Sequence, residues 1–370
     1  MRKILFVLGT RPEAIKLCPV LLQLRALPEF APRVCVTAQH RLLLDQVLDA
    51  FDVKPDHDLG LMLPGQTLFQ STSRILAGLE PVLVAEQPDM VLVQGDTTTT
   101  LCGALAAFYR NVAVGHVEAG LRTGDPVQPF PEEMNRVLVT RLASLHFAAT
   151  EGAAANLRRE GVDPNRIAVT GNSGIDAVHY VRDALEDGRL QSPEWPQLDP
   201  SKKLIVVTAH RRESFGDAFE RICLALARLA RRSDVQIVYP VHPNPNVQDP
   251  VNRLLAGLTT VLLIEPVSYV SFVDLMRRAH FLLTDSGGIQ EEGPSLGKPV
   301  LVMREKTERP EAVAAGTAKL VGTDENRIVR EAEILLDDPE TYRRMTRVHN
   351  PYGDGRASRR ISDVIRSFFE

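Results

Sequence analysis

Cysteines are few in this 370-residue chain, and they show no pairing pattern. The four cysteines, Cys18, Cys35, Cys102 and Cys223, lie among apolar neighbours, and no two of them form a C-x-x-C motif. Disulfide frameworks and zinc sites need cysteines at characteristic spacings. We therefore predict four reduced thiols in the interior of a cytoplasmic protein.

Long apolar runs and an excess of one charge are also missing. No run is long enough to span a bilayer, and the N-terminus starts directly with the strand-like segment 3–8, without the apolar region of a signal peptide. The formal net charge is −4, which is unlike the basic excess of nucleic-acid-binding proteins. We expect neither a membrane nor a nucleic acid among the partners.

Motifs for common cofactors are absent too. No G-x-G-x-x-G follows a predicted strand, there is no P-loop, and no cluster of His, Asp and Glu has the spacing of metal ligands. The sequence therefore predicts a site without metal or redox cofactor. Such a site depends on acid/base side chains and on groups that bind an anion.

What the chain does contain is a regular alternation of apolar, β-branched segments with amphipathic segments. The strands lack strict in/out alternation, which is typical of parallel sheets covered on both faces, so we predict a doubly wound α/β fold. The polar, proline-rich stretch 186–200 interrupts the pattern and marks a domain boundary. Strands are predicted at 3–8, 33–38, 90–94, 112–117, 144–148, 166–169, 203–208, 235–240, 260–264, 280–284, 299–302 and 318–321. Helices are predicted at 13–27, 40–51, 67–86, 97–109, 132–142, 151–160, 217–232, 268–278, 288–296, 325–337, 339–346 and about 356–369.

One strand–loop–helix segment, 284–293, has the composition of an anion site. Gly287 and Gly288 let a ligand approach the backbone where the helix begins, and Ser286 adds a hydroxyl. Glu292 lies one turn further on, where a carboxylate can accept from the two hydroxyls of a ribose. The alternative is an ordinary turn that uses glycines only for its geometry.

Two further loops after predicted strands carry cations. Arg11 and Lys16 lie near the start of a helix, where positive charge opposes the helix dipole and therefore calls for an anion. His210 is followed by Arg211 and Arg212, which indicates phosphate contact or proton transfer. A solvated first turn and a structural histidine are the alternatives.

Three carboxylates follow strands in the first half. Asp96 precedes four threonines and, taken alone, is best explained as a helix N-cap, although a cap can also act as a base. Glu118 ends an apolar run beside a glycine, a position that favours catalysis over structure. Glu132 and Arg136 share a helix face; the alternative for this pair is an exposed i,i+4 ion pair.

Taken together, these motifs match one known family in type and order. The chain resembles the bacterial non-hydrolysing UDP-N-acetylglucosamine 2-epimerases over nearly its whole length. The motifs are Gly9-Thr-Arg-Pro-Glu-Ala-Ile-Lys16, Gln94-Gly-Asp-Thr97, Gly115-His-Val-Glu-Ala-Gly-Leu-Arg122, Pro131-Glu-Glu-Met-Asn-Arg136, His210-Arg-Arg-Glu213, Asp285-Ser-Gly-Gly-Ile-Gln-Glu-Glu292 and Asn350-Pro-Tyr-Gly-Asp-Gly355.

The resemblance implies a glycosyltransferase-B-like fold of two Rossmann-like domains facing across a cleft. The first would comprise 1–172 and about 354–370, and the second, which binds UDP, 173–353. The resemblance also implies a homodimer that interconverts UDP-N-acetylglucosamine and UDP-N-acetylmannosamine, without a cofactor, for cell-surface polysaccharide synthesis.

The residues suit an elimination mechanism, in which UDP leaves C1 and a carboxylate takes the proton from C2. The intermediate is 2-acetamidoglucal, and protonation from the other face followed by return of UDP gives the epimer. Which carboxylate removes the proton is left open. Candidate catalytic residues are Asp96, Glu118, Glu132 and His210. Candidate substrate-binding residues are Arg11, Lys16, Arg136, Phe272, Ser286, Gly287, Gly288 and Glu292, of which the resemblance places Glu292 at the ribose and Phe272 near the uracil.

Some members of this family are activated by UDP-N-acetylglucosamine at a second site. Gln39, Gln66, Arg211 and His242 fit that site by resemblance, whereas Leu42 and Gly65 depart from its pattern. The departures concern activation and not catalysis.

Three functions other than epimerisation agree with some of these residues and motifs. A glycosyltransferase of the same fold needs the anion site but only one base. A hydrolysing epimerase would release UDP and free N-acetylmannosamine. A nucleotide-sugar-binding regulator without turnover is disfavoured because the acid/base positions, Glu118 among them, are present.

Overall fold

The computed structural model describes residues 1–37, 41–63, 65–195, 197–347 and 349–370. The chain divides into two units, Met1–Tyr180 with Gly353–Glu370, and Val181–Tyr352. Each unit contains one parallel sheet with helices between successive strands. The predicted α/β class with two domains is confirmed.

The first unit contains a seven-stranded sheet with the spatial order β3-β2-β1-β4-β5-β6-β7. Its strands are β1 (Arg2–Leu8), β2 (Phe30–Val36), β3 (His57–Asp58), β4 (Met90–Gln94), β5 (Ala113–Ala119), β6 (Leu145–Ala148) and β7 (Ile167–Val169). Its helices are α1 (Arg11–Arg25), α2 (Arg41–Ala50), α3 (Leu68–Glu86), α4 (Thr98–Tyr109), α5 (Glu132–Leu142), α6 (Glu151–Arg159), most of α7 (Ser173–Glu186) and, from the C-terminus, α15 (Ala357–Phe369), with a 3-10 turn at Pro164–Arg166.

The second unit contains a six-stranded sheet with the order β10-β9-β8-β11-β12-β13. Its strands are β8 (Lys203–Thr208), β9 (Val235–Pro240), β10 (Val261–Ile264), β11 (Phe281–Thr284), β12 (Val300–Val302) and β13 (Ala318–Leu320). Its helices are α8 (Asp217–Leu229), α9 (Pro245–Leu255), α10 (Tyr269–Arg278), α11 (Gly287–Ser295), α12 (Pro310–Ala315), α13 (Glu325–Asp337) and α14 (Pro339–Arg347), with a 3-10 turn at Arg212–Ser214.

Both sheets have a point at which the strand order reverses. In the first sheet it lies between β1 and β4, and in the second between β8 and β11. Open parallel sheets bind ligands beyond the carboxyl ends of the strands at such a point, because the neighbouring loops diverge to opposite faces there. The strand order therefore places the candidate residues that follow these four strands where open parallel sheets bind their ligands.

Burial explains why the strands lacked alternation. Every residue of β4 is buried, as are Ile4–Leu8 of β1 and all of β11, because helices cover both faces of each sheet. The apolar strand residues of the second unit pack against α8, α9 and α13 in one core. The buried strands therefore form the framework of each sheet, and the loops that follow them carry side chains that can take part in chemistry.

Two elements of the structure were not predicted for identifiable reasons. Strand β3 has only two residues, too few to produce a pattern. Helix α9 contains two prolines: Pro245 occupies its first turn, where a missing N–H costs nothing, and Pro250 lies inside it. Asn244 caps this helix by accepting from the N–H of Asn246, so the predicted turn at 241–245 ends in a helix. Helix α7 was not predicted either.

Asp96 is not the N-cap of α4, which corrects the structural role predicted for it. Thr97 is the capping residue, and its hydroxyl accepts from the N–H of Thr100 at 3.1 Å. The threonine run itself supplies the cap, which leaves the carboxylate of Asp96 available for another role.

The C-terminal helix α15 belongs to the first unit. Its first N–H groups, those of Ala357 and Ser358, donate to the carboxylate of Asp176 at 3.2 and 2.8 Å. Arg366 near its end forms an ion pair with Glu29. Within the described ranges, none of the helices is long and apolar enough to cross a membrane.

Candidate active site

A buried carboxylate joins the loops after β1 and β4 at the reversal point of the first sheet. Glu13 is 1% exposed and accepts from the N–H of Gly9 at 3.0 Å and from the hydroxyls of Thr10 and Thr97, each at 2.7 Å. Burial raises the pKa of Glu13, and these hydrogen bonds oppose that rise. The sequence analysis gave Glu13 no role, although Thr10 and Glu13 have the spacing of a capping box.

Glu118 lies at the end of β5 with φ of 62°, a left-handed conformation that is unfavourable for a residue with a Cβ atom. The strand pairing with β6 shifts register at this position. A left-handed conformation costs a non-glycine residue about 1–2 kcal/mol. Strain of this kind is retained where the side chain must occupy one particular place.

Side chains from three described residues donate to the Glu118 carboxylate. Its Oε1 atom accepts from Lys16 Nζ at 2.5 Å and from Asn172 Nδ2 at 3.4 Å, and its Oε2 atom accepts from Gln94 Nε2 at 2.5 Å. Lys16, predicted to bind an anionic substrate, therefore forms an ion pair with another candidate residue in this structure. Its proposed contact with substrate stays a prediction.

The carboxyl group of Asp96 has a pKa suited to proton transfer. Burial raises its pKa to about 6, the Arg136 guanidinium opposes this, and the neighbouring charges of Glu118 and Glu132 raise it further. Arg136 Nη2 lies 3.5 Å from Asp96 Oδ2. A carboxyl group with this pKa is ionised at neutral pH and readily protonated, as a general base requires.

The ion pair of Glu132 with Arg136, which was the alternative explanation for these two residues, does not form in the structure. The side chain of Arg136 lies 3.1 Å from Glu133 one turn away, because Glu133 is buried on the same face, where it also accepts from the N–H groups of Thr123 and Gly124. Glu132 is partly exposed in the first turn of α5.

Arg11 is the first residue of α1 and is partly exposed. Among the described residues its guanidinium has no hydrogen-bond or ion-pair partner, in contrast to Lys16. Gln66 donates through Nε2 to the carbonyl of Leu61 at 3.1 Å. Gln39 lies outside the described residues.

In the second unit, the fully buried Asp285 connects the loops after β8 and β11. Its Oδ2 atom accepts from the N–H groups of His210 at 2.6 Å and Arg211 at 2.7 Å. Its Oδ1 atom lies 3.7 Å from His210 Nδ1. The carboxylate thereby fixes the cationic loop against the start of α11. Sequence reasoning missed this residue; its position directly after a buried strand was the available signal.

Helix α11 begins at Gly287, as the sequence predicted for the anion site. The first N–H groups of a helix have no partner within it and attract negative charge. A Cβ atom built on Gly287 or Gly288 would meet no atom closer than 3.9 Å. Neither glycine is therefore required by the packing of the protein itself. Ser286 precedes the helix, and the Glu292 carboxylate lies one turn further on, beside Gly288.

The remaining candidates of the second unit are on neighbouring loops and helices. The rings of His210 and His242 stack with centroids 5.4 Å apart, so the structure brings these two residues together. Arg211 is exposed. Phe272 is partly exposed on α10. The role of Gln66, Arg211 and His242 in a second nucleotide-sugar site stays a prediction.

The two units thus carry different chemistry. The first offers several carboxylates with two cations at their side, and the second offers helix N–H groups, a serine and a histidine–arginine loop. Across the part of the chain that the structure describes, no group of three or more His, Cys, Asp or Glu side chains is arranged to hold a metal ion.

Comparison with known proteins gives consistent matches over the full chain. The family model for UDP-N-acetylglucosamine 2-epimerase matches residues 22–366. The UDP-N-acetylglucosamine 2-epimerase of Escherichia coli K12 is 57% identical over 370 residues, which cover 99% of this chain and 98% of that protein.

Solved structures agree with the sequence match. The UDP-GlcNAc 2-epimerase of Neisseria meningitidis bound to UDP-GlcNAc is 47% identical, with a TM-score of 0.91 over 99% of this chain and 100% of that chain. The enzyme of Methanocaldococcus jannaschii in complex with UDP-GlcNAc and UDP is 32% identical, with a TM-score of 0.78 over 99% of both chains. The chain belongs to the UDP-N-acetylglucosamine 2-epimerase family, as its motifs predicted.

Proposed function

We propose that this protein interconverts UDP-N-acetylglucosamine and UDP-N-acetylmannosamine by eliminating and re-adding UDP. The observation that supports this most directly is the pair Asp96 and Glu118 at the reversal point of the first sheet. One of them has a pKa raised to about 6, and the other is fixed in a strained backbone conformation. A transferase needs one base, whereas inversion at C2 needs acid/base groups for two faces.

The proposed reaction balances without an external oxidant. The bond between C1 and the diphosphate oxygen breaks with its electron pair going to UDP. A carboxylate takes the C2 proton, and the electrons of the C–H bond form the double bond of 2-acetamidoglucal. A second acid then donates a proton to the opposite face of C2 while UDP re-adds to C1, which gives the epimer.

The residues divide between these tasks according to their chemistry. Asp96, Glu118 and Glu132 are the proposed acid/base set, with Asp96 the favoured base because burial raises its pKa to about 6. The departing diphosphate needs donors that are already oriented when charge develops on it. Those proposed here are Arg11, Lys16, Arg136, His210, Ser286, Gly287 and Gly288, with Glu292 at the ribose and Phe272 near the uracil.

Proton NMR in D₂O tests the proposal. We expect UDP-N-acetylglucosamine incubated with the protein to give UDP-N-acetylmannosamine with deuterium at C2, without any added cofactor. Free N-acetylmannosamine with UDP would show the hydrolysing reaction instead. Substrate that binds but does not change would contradict the epimerase proposal and favour a transferase or a regulator.

We also propose that the protein is a homodimer of the cytoplasm. Helices α4 and α5 pack together and expose Phe108, Tyr109, Met134 and Leu138, an apolar surface that a second copy would cover. All four cysteines are buried free thiols, as suits a reducing compartment. Sedimentation should give a dimer for the wild type and a monomer for Leu138→Glu; a monomeric wild type would contradict the proposal.

A further inference from the structure

Gln94, which contacts Glu118 from the adjacent strand, has so far been assigned no part in binding or catalysis. Gln94 is the last residue of β4 and is 3% exposed. Its side chain ends in the contact between Nε2 and Glu118 Oε2, at 2.5 Å. A buried amide that donates to a candidate catalytic carboxylate calls for an explanation beyond packing.

The backbone around Gln94 is fixed from three sides. Its carbonyl accepts from the hydroxyl of Thr100 at 2.6 Å. The next residue, Gly95, donates its N–H to the carbonyl of Val117 at 3.0 Å, and its own carbonyl is 2.7 Å from His116 Nε2. The end of β4 is thereby attached to His116 and Val117, the two residues that precede Glu118 on β5, and the amide of Gln94 has a defined starting point.

We propose that Gln94 is a positioning residue for Glu118. Lys16 and Gln94 each hold one oxygen of the carboxylate, so that together they fix its plane and the direction of its free lone pairs. A neutral amide can do this without cancelling the negative charge, unlike a second cation. This inference rests on the proposed epimerase function, because it assigns Glu118 a place in proton transfer.

The strained backbone makes the positioning necessary. The left-handed conformation at Glu118 sets where the side chain leaves the strand, but it does not fix the side-chain torsions that place the carboxylate. Proton transfer depends on the acceptor oxygen staying within hydrogen-bond reach of the carbon-bound proton. Without the Gln94 amide, Oε2 loses its 2.5 Å contact with Nε2, and the position of the carboxylate is less restrained.

Gln94→Leu removes the donor at nearly constant volume and tests the proposal. We expect kcat to fall about 10- to 100-fold, which is the loss seen in metalloenzymes when a hydrogen-bond partner that orients a metal ligand is removed. The KM for UDP-N-acetylglucosamine and the Kd for UDP should stay within about twofold, because Gln94 is not proposed to contact substrate. Gln94→His, which offers an N–H donor of similar reach, should restore most of the rate.

A double mutant separates positioning from a general structural effect. In the Glu118→Gln background, Gln94→Leu should cause no further loss of turnover, since it acts through Glu118. If Gln94→Leu does not fold, Gln94→Asn, whose shorter amide cannot reach Oε2, replaces it with the same expected loss.

The inference would be overturned by a kcat within twofold of the wild type, or by a loss that is equally large in the Glu118→Gln background. A rise in KM that matches the fall in kcat/KM would instead make Gln94 a binding residue and likewise overturn it. A wild type without epimerase activity would overturn the proposed function itself, so the two failures are distinguishable.

Discussion

At the reversal point of the first sheet the polar groups are charged and amide side chains that contact one another, whereas at that of the second sheet backbone N–H groups lie beside small residues. Lys16, Gln94 and Asn172 converge on Glu118 in the first unit. In the second, Asp285 is buried and holds the loop after β8, and a Cβ atom on Gly287 or Gly288 would meet no atom closer than 3.9 Å.

This difference follows from what each task demands. A proton acceptor needs a defined pKa and a defined position. A network of charged and amide partners provides both. A diphosphate is large, and its charge is spread over several oxygens, so it is better bound by a helix start and by a backbone that it can approach closely. We therefore expect mutations in the first unit to change turnover and mutations in the second to change nucleotide affinity.

The largest expected effect is that of Glu118→Gln, which keeps the shape of the side chain and removes its basicity. We expect kcat to fall about 10³-fold, within the range for loss of an acid/base group. The Kd for UDP, measured by calorimetry, should not change. Near-normal turnover would remove Glu118 from the acid/base set, and a large loss of UDP affinity would contradict the division between the units.

Asp285→Asn is the corresponding change in the second unit. The variant loses the charge that accepts from the N–H groups of His210 and Arg211, and hydrogen bonds to charged groups are worth about 1.5–3 kcal/mol. If the loop then loses its position, the affinity for UDP should fall about 10- to 100-fold. Glu118→Gln is the control, because its affinity for UDP should not change. An affinity within twofold of the wild type, in a folded variant, would show that the loop holds its position without this carboxylate.

Much of this arrangement was accessible from the sequence, and the exceptions share a cause. Strands, their parallel class and the helix start at Gly287 follow from local patterns. The two carboxylates that fix the loops, Glu13 and Asp285, were missed because they hold partners far along the chain. Thr97 lies 84 residues from Glu13, and His210 lies 75 residues from Asp285. No pattern of neighbours encodes such contacts; only the strand order does.

The pairing of Arg136 shows the same limit at short range. Both Glu132 and Glu133 precede it on α5, and helical spacing alone allows either as partner. Burial decides for Glu133, which the helix turns toward Thr123 and Gly124, whereas Glu132 stays partly exposed. The left-handed backbone at Glu118 is likewise invisible in the sequence, because the residue is not a glycine.

The pH dependence of turnover tests the assignment of Asp96 as the base. Its pKa is raised to about 6 in the folded protein, so the carboxylate is ionised above this pH and protonated below it. Because a base must be ionised to accept a proton, kcat/KM should fall as the pH decreases through 6, by about tenfold per pH unit. Asp96→Asn should be slow at every pH and lack this inflection. A wild-type profile that is flat between pH 5 and 7 would exclude Asp96 as the base.

The smallest expected effect is that of a substitution at Gly287. It tests whether this position must be glycine so that a ligand can approach, or so that the protein can pack. A Cβ atom at Gly287 would have its nearest neighbour at 3.9 Å, an ordinary contact with the Arg309 guanidinium, so Gly287→Ala should melt within a few degrees of the wild type. The added methyl group stands where a phosphate would approach the helix start, so UDP affinity should fall about fivefold, the loss expected for one hydrogen bond.

Gly293 in the same helix is the matched control for this change. A Cβ atom there would lie 2.6 Å from Leu282 Cδ1 and 2.9 Å from Val300 Cγ2, both in the packed interior. Gly293→Ala should therefore lower the melting temperature without selectively weakening the binding of UDP to the protein that remains folded. If Gly287→Ala instead lowers stability and leaves UDP affinity unchanged, the glycine serves the fold, and the start of α11 is not where the diphosphate binds.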